Sequence, residues 1–428
     1  MTRKHPNGIV VLFFIEMWER FGFYIMMAIF VLYMENEFGW SDSKKGDFYG
    51  WFLGSVYFLP LLGGWLGDKF FGQLKTIAIG SVSMIIGYIL LALSSLQKLY
   101  FFYLGLMLIA FGTGVFKVNM SVLVGNLYRD NPQLRDAGFN IYYMGVNVGA
   151  TLGPVVATAL HHLFHSYRIS FWAAAIGMSI SFFIQRLGRK SLFLADIRHS
   201  PQLISHLSVT DQHRDSNRSE DKQRIMTLIL LFVIIIFFWI AFYQNGFAMT
   251  LFAKRSTVVS DLLRPESYQF FNPFFILVLT PVLLSFFSRL RNKNREPSTP
   301  AKIFYGLTIM GVAMVIMMLA SLSGGDLDQN IMSPLWLIIS YFVITLAEIL
   351  ISPMGQSFVS KVAPRRIQGV MMGLWFGATA VGSFSSGIFG KFYSDFPHHQ
   401  YYSILAGLLF FAAILVLISF KKLKKFSE

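Results

Sequence analysis

Glu16, Glu19 and Arg20 stand at i, i+3 and i+4 of one apolar run, so a helix places all three on one face. Glu16 can pair with Arg20 one turn on, and Glu19 then competes for the same guanidinium. Two carboxylates that share one cation cannot both be fully compensated, so one is poised to take up and release a proton. Lys117 and Glu348 also lie well inside apolar runs. Each such charge costs about 2.5–3.5 kcal/mol at the centre of a bilayer, and five unpaired ones cost on the order of 10 kcal/mol or more. They must therefore face a wet cavity or one another. The plainer alternative is a buried pair that only locks helices together.

These residues need a membrane around them. The chain has 428 residues, of which 55% are hydrophobic and 14% charged, with a mean hydropathy of +0.56. Soluble domains carry about 25% charged residues, so lipid must be the solvent for much of the chain. Twelve runs are long and apolar enough to span, near 9–35, 48–67, 76–96, 99–127, 137–161, 169–187, 225–252, 268–288, 303–322, 333–359, 367–390 and 401–420. The predicted class is an all-α membrane protein with two six-helix bundles, 1–187 and 225–428. The polar, Ser-rich segment 188–224 joins them as a cytoplasmic linker. No cleavable leader is evident; the run holding Glu16 reads as the first span.

The net charge of +14 would suggest nucleic acid in a soluble protein. Placement explains it better. With the N-terminus cytoplasmic, 26 of the 36 basic residues fall in inside segments and 8 in outside ones. Both termini are therefore expected inside. No nucleic-acid partner is needed, and the tail "KKLKKF" is expected against anionic lipid. The absence of cysteine excludes disulfides and thiolate chemistry.

Grouped as four triplets, the twelve runs carry their embedded charges only on triplet leaders: the first (Glu16, Glu19, Arg20), the fourth (Lys117) and the tenth (Glu348). The seventh carries the polar cluster Tyr243, Gln244, Asn245. Nested three-helix repeats within six-helix halves are the plan of major facilitator transporters, with the substrate site at the midplane between the halves. After the second run, "GGWLGDKFFGQLKT" places Asp68 and Lys69 at a glycine-rich turn, where they are expected to latch a conformation.

The run "EMWERFGFY" (Glu16 to Tyr24) resembles the ExxER motif that opens proton-dependent oligopeptide transporters. The resemblance continues through "GTGVFKVNMS" (Gly112–Ser121), "GFNIYYMGVNVGA" (Gly138–Ala150), "FFNPFF" with Gln269 and Asn272, "AEILISPMGQSFVSKVAP" (Ala347–Pro364) and "GVMMGLWFGATAVGS" (Gly369–Ser383). It implies that Glu16, Glu19, Arg20 and Lys117 form the proton-linked cluster. It implies further that Glu348 holds a substrate's amino terminus and Lys117 helps hold its carboxyl terminus. Tyr24, Tyr57, Asn147, Trp239, Tyr243, Asn272, Ser352 and Trp375 would line the pocket. The chemistry agrees, because a zwitterionic peptide needs a fixed anion and a fixed cation in a low-dielectric cavity. Taken singly, Trp239, Trp375 and Tyr57 read as packing residues.

Two positions depart from that family. Met27 stands where it usually has an arginine, and Tyr243 where it usually has a glutamate before Gln244. Losing both removes one buried ion pair without leaving an orphan charge. Gln356 also stands where an apolar residue is usual. Residues 188–224 are too polar to supply the two extra helices that many bacterial members carry.

The resemblance implies a proton-coupled symporter that imports di- and tripeptides by alternating access across the cell inner (plasma) membrane. Its partners are a small peptide, a proton and lipid, and its transport unit is a monomer. No cofactor and no resident metal are expected. His161, His162 and His165, or His398 and His399, could hold a metal but read as loop residues. No nucleotide-binding glycine loop, nucleophile elbow or zinc-binding helix motif is present, so an enzyme is a weak rival. The stronger rival is a carrier of the same fold for another zwitterion, a modified amino acid or an anion, motivated by Met27 and Tyr243. A non-transporting sensor is the third reading.

Overall fold

The structure, a computed structural model, describes residues 5–129, 131–196, 218–364 and 367–426. Linker residues 197–217, and with them Arg198 and Arg214 of the charge tally, lie outside the described residues. So do Arg3, Lys4, Arg365 and Arg366. The long helices are α1 (Gly8–Phe38), α2 (Asp42–Phe58), α3 (Gln73–Leu93), α4 (Leu99–Leu127), α5 (Arg135–Phe164) and α6 (Arg168–Leu187). They continue with α7 (Arg218–Phe242), α8 (Phe271–Asn292), α9 (Thr299–Ser323), α10 (Leu335–Val362), α11 (Gln368–Gly390) and α12 (His398–Ile418). Each apolar run of the sequence overlaps one of these helices, but the run 48–67 is shared between α2 and a separate short helix, Pro60–Leu66, and the run 225–252 extends past the end of α7. Among the described residues, nine helices are long and apolar enough to cross a membrane; α1, α2 and α11 are not among the nine. The 21 residues of α3 rise about 31 Å, the thickness of a bilayer's hydrocarbon core.

Two compact units emerge, and they do not follow chain order. One comprises Met1–Tyr33 with Ser55–Arg214, the other Met34–Gly54 with Asp215–Glu428. The end of α1 and most of α2 therefore pack with the C-terminal helices.

In the first unit α3 packs along α4 and α6. Lipid tails are as apolar as leucine, so close van der Waals packing must hold such helices together. Glycine permits it. A Cβ on Gly80 would lie 2.7 Å from the Gly112 carbonyl oxygen, and one on Gly87 would lie 2.9 Å from that of Gly105. We predict that Gly112→Leu lowers the thermal midpoint in detergent by more than 5 °C, read by tryptophan fluorescence. A midpoint within 1 °C of wild type would show that this contact does not hold α3 to α4.

In the second unit α7 breaks at "YQNG". Tyr243–Gly246 forms a 3₁₀ turn and the helix resumes over Ala248–Arg255. A break inside hydrocarbon frees backbone carbonyls that side chains must satisfy. Tyr49 donates to the Tyr243 carbonyl at 2.8 Å. Gln269 and Tyr341 donate to that of Asn245 at 2.7 and 2.9 Å. Gln244 is consumed in the same packing: its Nε2 donates to the Ser386 carbonyl at 2.9 Å, and its Oε1 accepts from Tyr401 at 2.8 Å.

The loop between α8 and α9 is clamped by charge. Glu296 pairs with Arg291 and with Lys302, each at 2.6 Å. The hydrogen bond from Arg291, reinforced by Lys302, holds the Glu296 carboxyl down at about 2, from an ordinary 4.5. A lowered carboxyl contributes stability above its unfolded value and loses it as pH falls towards its folded value. Accordingly, wild type should exceed Glu296→Gln in thermal midpoint at pH 7, with the gap shrinking below pH 4.5. A gap that stays constant to pH 3 would contradict the clamp.

Candidate functional site

The first unit holds the ExxER face. Glu16, Glu19 and Arg20 are 1%, 0% and 5% exposed. Arg20 binds Glu19 in a bidentate pair along one guanidinium edge, Nη2 to Oε1 at 2.6 Å and Nε to Oε2 closer still. Glu16 reaches the same guanidinium by a longer contact, Oε1 to Arg20 Nε at 3.3 Å, and its buried Oε2 has no hydrogen-bond partner among the described residues. The competition expected from the spacing is thus resolved: Glu19 takes the fork and Glu16 is held less. Tyr142 of α5 and Lys117 of α4 are the other polar groups acting on Glu16. Arg20 also lies 5.0 Å from the Phe23 ring centre.

Lys117 is half-buried on α4 and makes no ion pair among the described residues. Its ammonium sits 5.2 Å over the Tyr57 ring. Tyr24 is partly exposed beside Phe23. Asn147 is buried, and its amide donates to the Tyr143 carbonyl one turn back at 2.9 Å. The first unit therefore brings Glu16, Glu19, Arg20 and Lys117 together, with Tyr57 against the lysine.

The second unit holds Glu348. Its Oε2 accepts from Asn272 Nδ2 at 2.8 Å, and that same amide nitrogen lies 3.2 Å from Thr345 Oγ1. No cation reaches Glu348 among the described residues, so its charge is met by an amide alone. Trp239 stacks on Tyr243 with ring centres 5.6 Å apart, and the Trp239 indole nitrogen is buried without a hydrogen-bond partner among the described residues. Trp375 is 1% exposed and lies against Gly355, where a Cβ would collide with its ring. Its placement is that of a packing residue. Ser352 is half-buried one turn beyond Glu348 on α10, and Met27, in the first unit, is 7% exposed.

The turn before α3 carries the two residues expected to latch a conformation. Asp68 and Lys69 are both exposed, and Asp68 accepts from Gln73 Nε2 at 3.0 Å. Partial burial raises its carboxyl, against that hydrogen bond. The buried anion at this helix start is Asp196, which accepts from the backbone of Gln73 at 3.1 Å and of Leu74 at 3.4 Å. A carboxylate at a helix N-terminus satisfies free N–H groups and the helix dipole. Asp196 lies 123 positions from Gln73 along the chain, so no local pattern marks it.

Sequence reasoning also missed a charge network in the second unit. Lys254 and Arg255 reach Glu35 at 2.8 and 3.1 Å, and Arg255 reaches Asp42 at 2.8 Å. Lys45, wholly buried, joins Glu35 and Asp42, and Ser394 bonds Asp42. The charged ends of α1 and α2 were the only signal for it. At the other end of the linear sequence, His399 pairs with Asp326, and His398 lies 3.6 Å from Asp328. No group of three metal-ligating side chains occurs among the described residues.

The sequence model of the POT family matches residues 74–194 and 189–405. The chain is 30% identical to YclF, an uncharacterised transporter of Bacillus subtilis, over 97% of this chain and 94% of that one. It is also 30% identical to the peptide transporter YePEPT of Yersinia enterocolitica, over 90% and 88%. A crystal structure of a peptide transporter POT in complex with sulfate superposes with a TM-score of 0.87 at 26% identity, covering 100% of this chain and 97% of that one.

Proposed function

We propose, for a chain that belongs to the POT family, a proton-coupled symport that imports di- and tripeptides by alternating access. The members of that family are transporters rather than enzymes, and the chain is a multi-pass membrane protein. What carries the finer reading is charge left uncompensated inside apolar helices. Among the described residues Lys117 forms no direct ion pair, acting on Glu16 only at longer range, and no cation reaches Glu348. Neither arrangement is stable for its own sake at bilayer depth. A substrate with a free ammonium and a free carboxylate supplies both missing partners.

In this reading Glu348, oriented by Asn272, takes the peptide's ammonium, and Lys117 takes its carboxylate. Tyr24, Tyr57, Asn147, Trp239, Tyr243 and Ser352 contact the peptide between its termini, where aromatic and amide groups tolerate varied side chains. Trp375 shapes that contact from behind. The proton enters at the Glu16–Glu19–Arg20 cluster, where the weakly held Glu16 accepts it and the Arg20 pairing loosens. Asp68 and Lys69 act at the turn before α3 as a conformational latch.

Residues 1–187 and 225–428 serve as the two six-helix halves, with 188–224 as the cytoplasmic linker and both termini inside. The protein works as a monomer in the cell inner membrane, with its basic tail on anionic lipid.

A second reading, a carrier of another zwitterion, is favoured by one pair of residues. Met27 and Tyr243 stand where an ion pair would constrain the substrate carboxylate. Competition decides between them. In proteoliposomes, di- and tripeptides should suppress labelled dialanine uptake at concentrations at least tenfold below those needed for tetrapeptides, single amino acids or organic anions. Suppression by single zwitterions as strong as by dipeptides would replace the first reading by the second.

A further inference from the structure

A cavity of about 310 Å³ opens in the first unit, away from the charged cluster, where the start of α3 meets the end of α6. The two helices run as candidate spans and join there through Gln185 Nε2, which donates to the Leu74 carbonyl at 2.7 Å. The shared end of two spanning helices lies at headgroup depth. Three cations line the cavity: Lys75, Arg186 and Arg189. All three are exposed, and none forms an ion pair among the described residues. The carboxylate in the lining, Asp196, is already bound to the α3 N-terminus. An excess of positive charge is therefore left facing the opening.

A second observation is independent of charge. Gln185 is 4% exposed and lines the same cavity, yet among the described residues its Oε1 has no hydrogen-bond partner. A buried acceptor without a donor costs about 1–3 kcal/mol and calls for a missing partner. The remaining wall is apolar, with Phe71 and Ile79 both exposed. Cations for a phosphate, an acceptor for a hydroxyl and an apolar flank together describe one molecule.

We propose that this cavity holds an anionic phospholipid whose headgroup bears free hydroxyls, the phosphatidylglycerol class. Phosphate oxygens meet Lys75, Arg186 and Arg189, a headgroup hydroxyl donates to Gln185 Oε1, and an acyl chain lies along Phe71 and Ile79. Basic pockets between spanning helices bind lipid phosphates in this manner. The bound lipid bridges α3 and α6 at the end where Asp196 caps α3.

Native mass spectrometry of the full-length protein from nanodiscs of defined lipid tests the assignment. The probes are phosphatidylglycerol, phosphatidic acid, phosphatidylcholine and inorganic phosphate. Wild type should retain phosphatidylglycerol at least tenfold more than phosphatidylcholine and about threefold more than phosphatidic acid, which lacks the headgroup hydroxyl. The triple variant Lys75→Gln, Arg186→Gln, Arg189→Gln should lose at least 90% of the retained phosphatidylglycerol while dipeptide exchange persists. Gln185→Met should equalise phosphatidylglycerol and phosphatidic acid. Should that variant not fold, the same comparison on wild type still decides. Retention unchanged in the triple variant overturns the site. Equal retention of phosphatidylglycerol and phosphatidic acid by wild type overturns the hydroxyl assignment. Displacement of the lipid by millimolar inorganic phosphate would mean a free-anion site instead of a lipid site.

Discussion

Glu19→Gln should abolish the accumulation of dialanine driven by an acidic exterior and leave counterflow exchange running. The reason is geometric. Glu19 binds Arg20 through both Nε and Nη2, while Glu16 reaches the same Nε at 3.3 Å and its Oε2 has no hydrogen-bond partner among the described residues. With Glu19 neutral, Arg20 should turn wholly to Glu16, and the cluster would lose the second carboxylate whose competition, on the proposed reading, lets a proton come and go. A gradient of one pH unit is worth about 1.4 kcal/mol, or tenfold accumulation for one coupled proton. The variant should therefore fall from at least tenfold accumulation to none. Exchange needs no net proton movement and should stay within about threefold of wild type. Glu16→Gln should act in the same direction with the Arg20–Glu19 pair intact. Gradient-driven accumulation by both variants at the wild-type level would remove the cluster from the coupling step.

The second large effect is expected at Glu348. Among the described residues its carboxylate is held by Asn272 and no cation neutralises it. An incoming ammonium gains a charge-assisted hydrogen bond in low dielectric, worth about 1.5–3 kcal/mol. Glu348→Gln should thus lower dialanine uptake at limiting concentration by about 10- to 100-fold. Asn272→Leu, which removes only the positioning amide, should give a smaller loss. The selective signature is what remains: in the glutamine variant, dialanine and its N-acetyl derivative should be taken up alike. If the variant still prefers the free amine by tenfold, Glu348 does not bind it.

The spans were legible because hydrocarbon imposes a length and a composition that each helix must meet. α4 begins and ends where its apolar run does, at 99 and 127. The ExxER geometry was legible for a similar reason, since i, i+3 and i+4 spacing fixes one helical face. What spacing could not decide was the winner of the competition, because bidentate geometry depends on rotamers and on Tyr142 from another helix. Asn272 was assigned to the pocket, but its bond to Glu348 joins α8 to α10 and has no local signature. The break in α7 was hidden too. "YQNG" sits in an otherwise apolar run, and the turn is stable only because Tyr49, Gln269 and Tyr341 collect the freed carbonyls. Asp196 and the Glu35–Arg255 network share that character: each charge looks like loop decoration until a distant partner is placed against it.

Direct binding of three ligands to three proteins bears most closely on the two uncompensated charges. Dissociation constants of dialanine, N-acetyl-dialanine and dialanine amide would be measured by calorimetry on wild type, Glu348→Gln and Lys117→Gln. Both blocked ligands should bind wild type at least tenfold more weakly. Glu348→Gln should lose only the penalty for acetylation, and Lys117→Gln only the penalty for amidation. If each variant loses both penalties equally, or neither, the two residues do not hold opposite ends of the substrate and the account is contradicted.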